Sequence, residues 1–213
     1  MSQTQSYSTH PTPVAAPHED LRRAVMTGAV DVVAQAGLDA LTLREVARRS
    51  GVPNTAPARL FRNRDGLMAA VAEEGFLTLF ATIDGAVATV PANDPRGRVS
   101  AAAVAWTAFA SSHTAQYRMM MASNPLSAGP GSGLLRSAML VFGRLVRFVE
   151  QGQAAAKFRT WPAQEQALVM WATLHGLSLL LIDGQLEALG LSTTDATRLG
   201  SLVAERVLQG LSA

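Results

Sequence analysis

Between Leu41 and Met68 the chain reads LTLREVARRSGVPNTAPARLFRNRDGLM, two short amphipathic segments joined by a tight turn and followed by a third helix start. Thr42 and Glu45 form a T-x-x-E capping box, in which the Thr hydroxyl takes the backbone N–H three residues on and the Glu carboxylate reaches back. Leu43, Val46 and Ala47, at helical spacing, give the first segment one apolar face, with Arg44, Arg48 and Arg49 towards the other side. Gly51 ends it, because glycine enters a left-handed cap without steric cost. Val52 and Pro53 carry the chain round, and Asn54 is placed to cap a second helix whose first turn tolerates Pro57. A helix, a short turn containing glycine and a second helix make a helix-turn-helix.

The charge around this unit indicates what it touches. From Arg44 to Asp65 six arginines (Arg44, Arg48, Arg49, Arg59, Arg62 and Arg64) face two acids, Glu45 and Asp65, a local balance of +4 in a chain of formal charge +2. Cations at this density neutralise phosphates and release counterions, the sequence-independent part of DNA affinity.

The rest of the 213 residues allow a small domain fused to a larger one. Hydrophobic residues make up 48% of the chain, which excludes a disordered polypeptide, and sustained apolar–polar alternation is missing, so the fold class expected is all-α. With no cysteine, disulfides, thiolate metal sites and cysteine nucleophiles are excluded, in keeping with a cytoplasmic protein. Residues 1–17, rich in Ser, Thr, Gln and Pro, read as a disordered tail without signal-peptide character. The apolar run Ala167–Ile182 is 16 residues long and holds a histidine, too short for a membrane span and suited to a buried helix.

Helical periodicity organises the flanking and C-terminal segments. Leu21, Val25, Ala29, Val32 and Ala36 share a face that ends at Gly37, and this first helix would complete a three-helix core with Leu38, Leu41, Leu43, Val46 and Phe61. Asn63 caps a long helix in which Leu67, Val71, Phe76, Leu79, Ile83 and Val87 keep spacing until Pro91. Helices are expected over 96–112, 114–122 and 134–151, the last with Leu135, Met139, Phe142, Leu145, Val146 and Val149 inside and Arg136, Arg144 and Arg147 outside. A loop with two prolines and three glycines spans 124–133. The spacing then predicts one helix from Pro162 to about Leu189 and another opened by Ser192–Asp195, with Leu199, Leu202, Val203 and Val207 on one face. These two are more apolar than a monomer's surface requires, so an antiparallel hairpin (about 163–189 and 193–210) is expected to pair with its twin in a homodimer.

An enzyme would need a reacting constellation, and none is present. Neither Glu-x-x-His nor His-Glu-x-x-His occurs, and Gly129–Gly133 lacks the Lys-Ser/Thr of a phosphate loop. No metal or cofactor is implied. Asp183 and Glu187, at i and i+4, share a helix face as an exposed or interface pair. His175 is the one polar group of interest in an apolar helix; beside Gly176, which would let another helix approach closely, it can donate to a ligand in a cavity lined by Trp106, Phe109, Met120 or Phe142.

The segment Leu41–Val52, followed by Ala56-Pro57, Arg59, Phe61 and Arg64–Leu67, resembles the N-terminal domain of the tetracycline-repressor (TetR) family of bacterial regulators. Trp171, His175 and Gly176 with Asp183-Gly184 are similar to the Trp-x-x-x-His-Gly pattern of one class of its C-terminal domains, which adds Trp171 to the candidate pocket. The resemblance implies a DNA-binding domain over 18–66 and a ligand-binding and dimerisation domain over 67–213, with about nine helices. It also implies a double-stranded operator, a small-molecule effector and repression relieved by that effector. Pro53–Phe61 would then be the recognition helix, Thr42 and Arg64 would hold phosphates, and Arg44, Asn54, Thr55, Arg59 and Arg62 would complete the DNA surface. Where the family usually has Tyr, His and Ser, this chain has Ala58, Leu60 and Pro53, which removes up to two phosphate contacts and one capping hydroxyl. Those departures motivate the rival reading of a helical ligand-binding or sequestering protein with weakened DNA binding.

Overall fold

The computed structural model describes residues 16–191 and 195–212; the tail expected over 1–17 lies outside these up to residue 15, as does the Ser192–Thr194 part of the expected last-helix start. The described residues form ten α-helices and no strand: α1 (Ala16–Ala36), α2 (Leu43–Ser50), α3 (Ala56–Phe61), α4 (Arg64–Ala88), α5 (Pro95–Ser112), α6 (Thr114–Ala122), α7 (Gly133–Ala154), α8 (Ala163–Ile182), α9 (Gln185–Ala188) and α10 (Ala196–Leu211). Single 3-10 turns at Leu38–Ala40 and Pro125–Ser127 precede α2 and α7. Half of the starts are set by short polar side chains, Thr42 at α2 among them. Asn63 Oδ1 accepts from the Gly66 N–H (2.8 Å), Asp94 Oδ1 from Gly97 (2.9 Å), Ser132 Oγ from Leu135 (3.1 Å) and Asp195 Oδ1 from Thr197 (2.9 Å).

Two hydrophobic cores result. The smaller joins Val25, Ala29 and Val32 of α1 to Val46 of α2, Phe61 of α3 and Leu67 and Val71 of α4. The larger gathers Phe76, Leu79 and Ile83 of α4 with Trp106 and Phe109 of α5 and with Leu145 and Phe148 of α7. Two helices belong to both. α4 runs from one core into the other, and α6 places Ala115 and Met119 in the smaller core and Tyr117 and Met120 in the larger.

Three expectations about the larger lobe need correction. The helix from Pro162 stops at Ile182, because Gly184 takes a left-handed conformation (φ 68°) and a new turn, α9, begins there. Asp183 and Glu187 therefore do not share a helix face. In α7 the buried stripe is Leu134, Ser137, Ala138, Val141, Leu145, Phe148, Val149 and Gly152, one residue round from the expected one. Arg144 accordingly lies inside, its Nε 2.6 Å from Asp84 Oδ1 and its guanidinium over the Phe148 ring, while Met139 is 49% exposed. Finally, α10 packs chiefly along α5 and only secondarily on α8. Thr107 Oγ1 donates to the Ala196 carbonyl (2.8 Å), and a Cβ at Gly200 would meet Thr107 and the Val104 backbone.

Candidate functional site

The helix-turn-helix is held by contacts that settle which polar groups remain free. Thr42 caps α2 as expected, its Oγ1 accepting from the Glu45 N–H (3.2 Å). Glu45, however, does not reach back. Its carboxylate turns forward to the Arg48 guanidinium, whose hydrogen bonds hold the Glu45 carboxyl below its ordinary pKa. Gly51 closes α2 at φ 67°, its N–H returned to the Ala47 carbonyl. The cap of α3 is Thr55 rather than Asn54, and the Thr55 side chain makes no capping bond; Pro53–Thr55 form the turn, with the Ala56 N–H on the Pro53 carbonyl (2.9 Å). The helix expected over Pro53–Phe61 as the recognition helix thus comprises only Ala56–Phe61.

Its exit is unusual. Arg62 sits at φ 67°, ψ −55°, and the Asn63 N–H bonds the Phe61 carbonyl two residues back (2.8 Å), a γ-turn of a strained kind for a residue with a Cβ. Gly66 permits it, since a Cβ there would collide with the same Phe61 carbonyl. Phe61 is buried, and Arg22 of α1, which the sequence does not single out, lies over its ring at 4.7 Å.

The surface around α3 is polar and basic. Thr42, Arg44, Pro53, Asn54, Thr55, Arg59 and Arg62 are all exposed. Among the described residues Arg44, Arg49, Arg59 and Arg62 make no salt bridge or side-chain hydrogen bond, so four of the six arginines present unmatched charge. Arg64 differs: its Nε and one terminal nitrogen donate to the Leu41 and Leu38 carbonyls (both 3.0 Å), and its other nitrogen lies 3.7 Å from Asp65. That side chain clamps the turn before α2 onto the start of α4. Of the residues that depart from the family pattern, Ala58 is exposed, whereas Leu60 is half-buried against the smaller core and contributes packing.

In the larger lobe the six candidate pocket residues belong to one neighbourhood. Trp171 of α8 is its centre, with ring centroids 5.0 Å from Trp106, 6.3 Å from Phe142 and 6.3 Å from Phe76. Trp106, Phe109 and Met120 are fully enclosed, so this is a packed cluster rather than a preformed chamber. His175, one turn beyond Trp171, reaches it through Tyr117: Trp106 Nε1 donates to the Tyr117 hydroxyl (3.0 Å), which lies 3.2 Å from His175 Nδ1. Burial pushes the Tyr117 hydroxyl up to about 12, and burial also lowers the His175 pKa, so both are neutral near pH 7. Tyr117 and Phe76 are members that sequence reasoning misses. The available signal is a lone tyrosine in a short Met-rich helix, since a buried phenol requires a partner. Among the described residues no other helix approaches Gly176, where nothing lies within 4 Å of a Cβ position.

One face of the lobe is uncovered. Leu168 and Val169 of α8 and Leu202 of α10 are 58%, 60% and 46% exposed. Beside them Trp161, Val169, Val207 and Leu211 line an apolar groove of about 400 Å³ between α8 and α10.

A six-residue helix displayed on a small three-helix core, joined by α4 to a larger helical lobe, defines a DNA-binding regulator of the helix-turn-helix class. Residues 25–71 match the family described as bacterial regulatory proteins, tetR family, and residues 99–205 match the tetracyclin repressor-like C-terminal domain. The chain belongs to the tetracycline-repressor (TetR) family of transcriptional regulators. Among solved structures, a protein of unknown function from Rhodococcus sp. RHA1 is 31% identical, with a TM-score of 0.77 over 94% of this chain and 100% of its own. A tetR-family regulatory protein from Rhodococcus RHA1 is 18% identical (TM-score 0.70; 91% and 97% covered), and the regulator PfmR from Thermus thermophilus is 15% identical (TM-score 0.66; 89% and 99%). These last two share the fold. No curated protein sequence matches the chain.

Proposed function

We propose that this regulator is a cytoplasmic homodimeric repressor that reads a two-fold operator and leaves it when a small, mainly apolar effector binds the larger lobe. The observation that carries the DNA half is the unmatched basic surface around α3, where Arg44, Arg59 and Arg62 flank the exposed Pro53, Asn54 and Thr55. Arg59 lies on α3 itself and is positioned for base edges, while Thr42, Arg44 and Arg62 flank it for phosphates. Arg64 acts mainly through its clamp, with its remaining N–H groups available to the backbone. The uncovered apolar face of α8 and α10 supports dimerisation, and two copies would place their recognition helices about 34–36 Å apart, one turn of DNA.

The effector would enter between α8 and the α4–α7 wall, against Trp106, Phe109, Met120, Phe142, Trp171 and His175. It can bias only an equilibrium whose two states it binds differently. The helices that belong to both cores, α4 and α6, are the connection by which such a bias would reach α3.

The direct test is selection of bound duplexes from a random DNA pool, followed by a salt series on the winner. A palindromic sequence with half-sites one turn apart, bound with a steep salt dependence, is the expected outcome. Recovery of no preferred sequence at low salt would instead favour a ligand-sequestering protein, the reading that the exposed Ala58 and apolar Leu60 invite.

A further inference from the structure

On α8, Ala167, Met170, Leu174 and Ser178 are buried, yet the adjoining row of Trp171, His175, Leu179 and Ile182, which meets the same core, is only half-buried. This row is about 16 Å long. Along it stand aromatic rings at one end, an imidazole in the middle and aliphatic side chains beyond.

The hydrogen bonds favour one form of that imidazole. An indole N–H can only donate, so Trp106 takes one lone pair of the Tyr117 oxygen. The phenol hydrogen must then find an acceptor, because Tyr117 is fully buried. His175 Nδ1, at 3.2 Å, is in place to accept it. Ser178 also meets the phenol, but its own hydrogen goes to the Leu174 carbonyl (2.7 Å), so it can only share the phenol hydrogen with Nδ1 as a second acceptor. With Nδ1 accepting, the ring proton resides on Nε2, and that N–H has no protein acceptor among the described residues. The charges at the end of the row are already matched: Arg118 donates to Asp183 Oδ1 (2.6 Å) and to the Ile182 carbonyl (3.0 Å). A ligand carrying its own charge would therefore lie unpaired against apolar side chains, at large desolvation cost.

We propose that the effector is a neutral, planar aromatic molecule bearing a carbonyl-type acceptor, which His175 Nε2–H receives while its rings extend the Trp171–Phe142–Phe76 cluster. The proposal rests on the effector site proposed above and names the chemistry of its ligand. Tyr117 is a positioning residue in it, holding the tautomer, and His175 is the contact.

Three probes of one shape test this by titration calorimetry and quenching of tryptophan fluorescence: 2-acetonaphthone, 2-isopropenylnaphthalene, in which CH2 replaces the carbonyl oxygen, and the cation 2-naphthylmethylammonium. The ketone is expected to bind about tenfold more tightly than the alkene, and the cation more weakly than either. His175→Phe should erase the ketone's advantage without weakening the alkene, His175→Gln should restore part of it through its amide N–H, and Tyr117→Phe should reduce it. Equal binding of ketone and alkene, a preference for the cation, or no binding of any probe overturns the proposal; since the first comparison uses the unmodified protein, a variant that fails to fold does not block the test. The effector reading is judged separately on the selected operator. A probe that binds through His175 yet leaves the protein on DNA refutes that reading and leaves the ligand chemistry standing.

Discussion

Helices α4 and α8 are alike as sequences and unlike in their surroundings. Both are long and apolar enough to cross a membrane, α8 because it begins at Ala163, four residues before the run that by itself falls short. Yet 44% of the apolar window of α4 is buried within the chain against only 28% for α8, less than the buried helix expected there. α4 is enclosed because α1 and α3 cover its first turns and α5, α6 and α7 the remainder. α8 has α5 and α7 on one side and α10 on another, which leaves Leu168 and Val169 uncovered and the Trp171–Ile182 row half-covered. An apolar helix that the described residues leave open is shaped for something else to cover it. In this chain the two gaps match the two proposed occupants, a second copy on the outside and an effector within.

The sharpest way to break that comparison is to truncate a matched pair. Phe76→Ala in α4 should lower unfolding stability by about 3–5 kcal/mol in a urea titration, as expected for an enclosed aromatic, whereas Leu168→Ala in α8 should change the stability of the isolated subunit by no more than about 0.5 kcal/mol. Similar losses would mean that α8 is covered by its own chain. Next in size, Leu168→Glu should leave that subunit folded and weaken self-association by about 3 kcal/mol or more, because each dimer would bury unpaired carboxylates; sedimentation velocity should show monomers. A dimer that persists would move the interface elsewhere.

Smaller effects separate the arginines of the other lobe. Arg59→Ala should weaken operator binding by about 1–3 kcal/mol with no change in melting temperature. Arg64→Ala should instead lower stability by about 1–2 kcal/mol through the lost bonds to Leu38 and Leu41. If Arg64→Ala melts like the parent but binds DNA poorly, its role is on phosphate after all. The smallest effect concerns His175. Its folded pKa is lowered below the ordinary 6.5 by burial, so the unfolded chain takes up the proton first as pH falls. Stability is full above about pH 6.5 and declines as pH drops from there through the folded pKa. His175→Gln should flatten the melting temperature over pH 5–7, and an unchanged slope would show that the imidazole is not desolvated.

Local signals are legible in the sequence, and relations between elements are not. Thr42, Gly51 and Asn63 mark helix boundaries through chemistry that acts within four residues, and the structure places boundaries there. The stripe of α7 is misread by one residue because Arg144 looks like a surface side chain until Asp84 and Phe148, from elsewhere in the fold, are brought to it. The last two helices look like a pair closed on each other because they are consecutive; they do touch, but Gly200 and Thr107 draw α10 more closely onto α5. Likewise the position of Arg64 suggests a phosphate contact, and only the folded chain shows the Leu38 and Leu41 carbonyls that engage it.

The γ-turn at Arg62 has a mechanical consequence. Joining α3 to α4 through so tight a bend leaves no slack, so α3 is fixed to α4 as a blade to its shaft. At 25 residues α4 is a lever about 37 Å long, and a tilt of only about 5° about its far end swings the near end by roughly 3 Å. In the proposed two-fold assembly both blades would move, and the gap between them would change by up to twice that amount, enough to take two reading heads out of step with a DNA turn of about 34 Å.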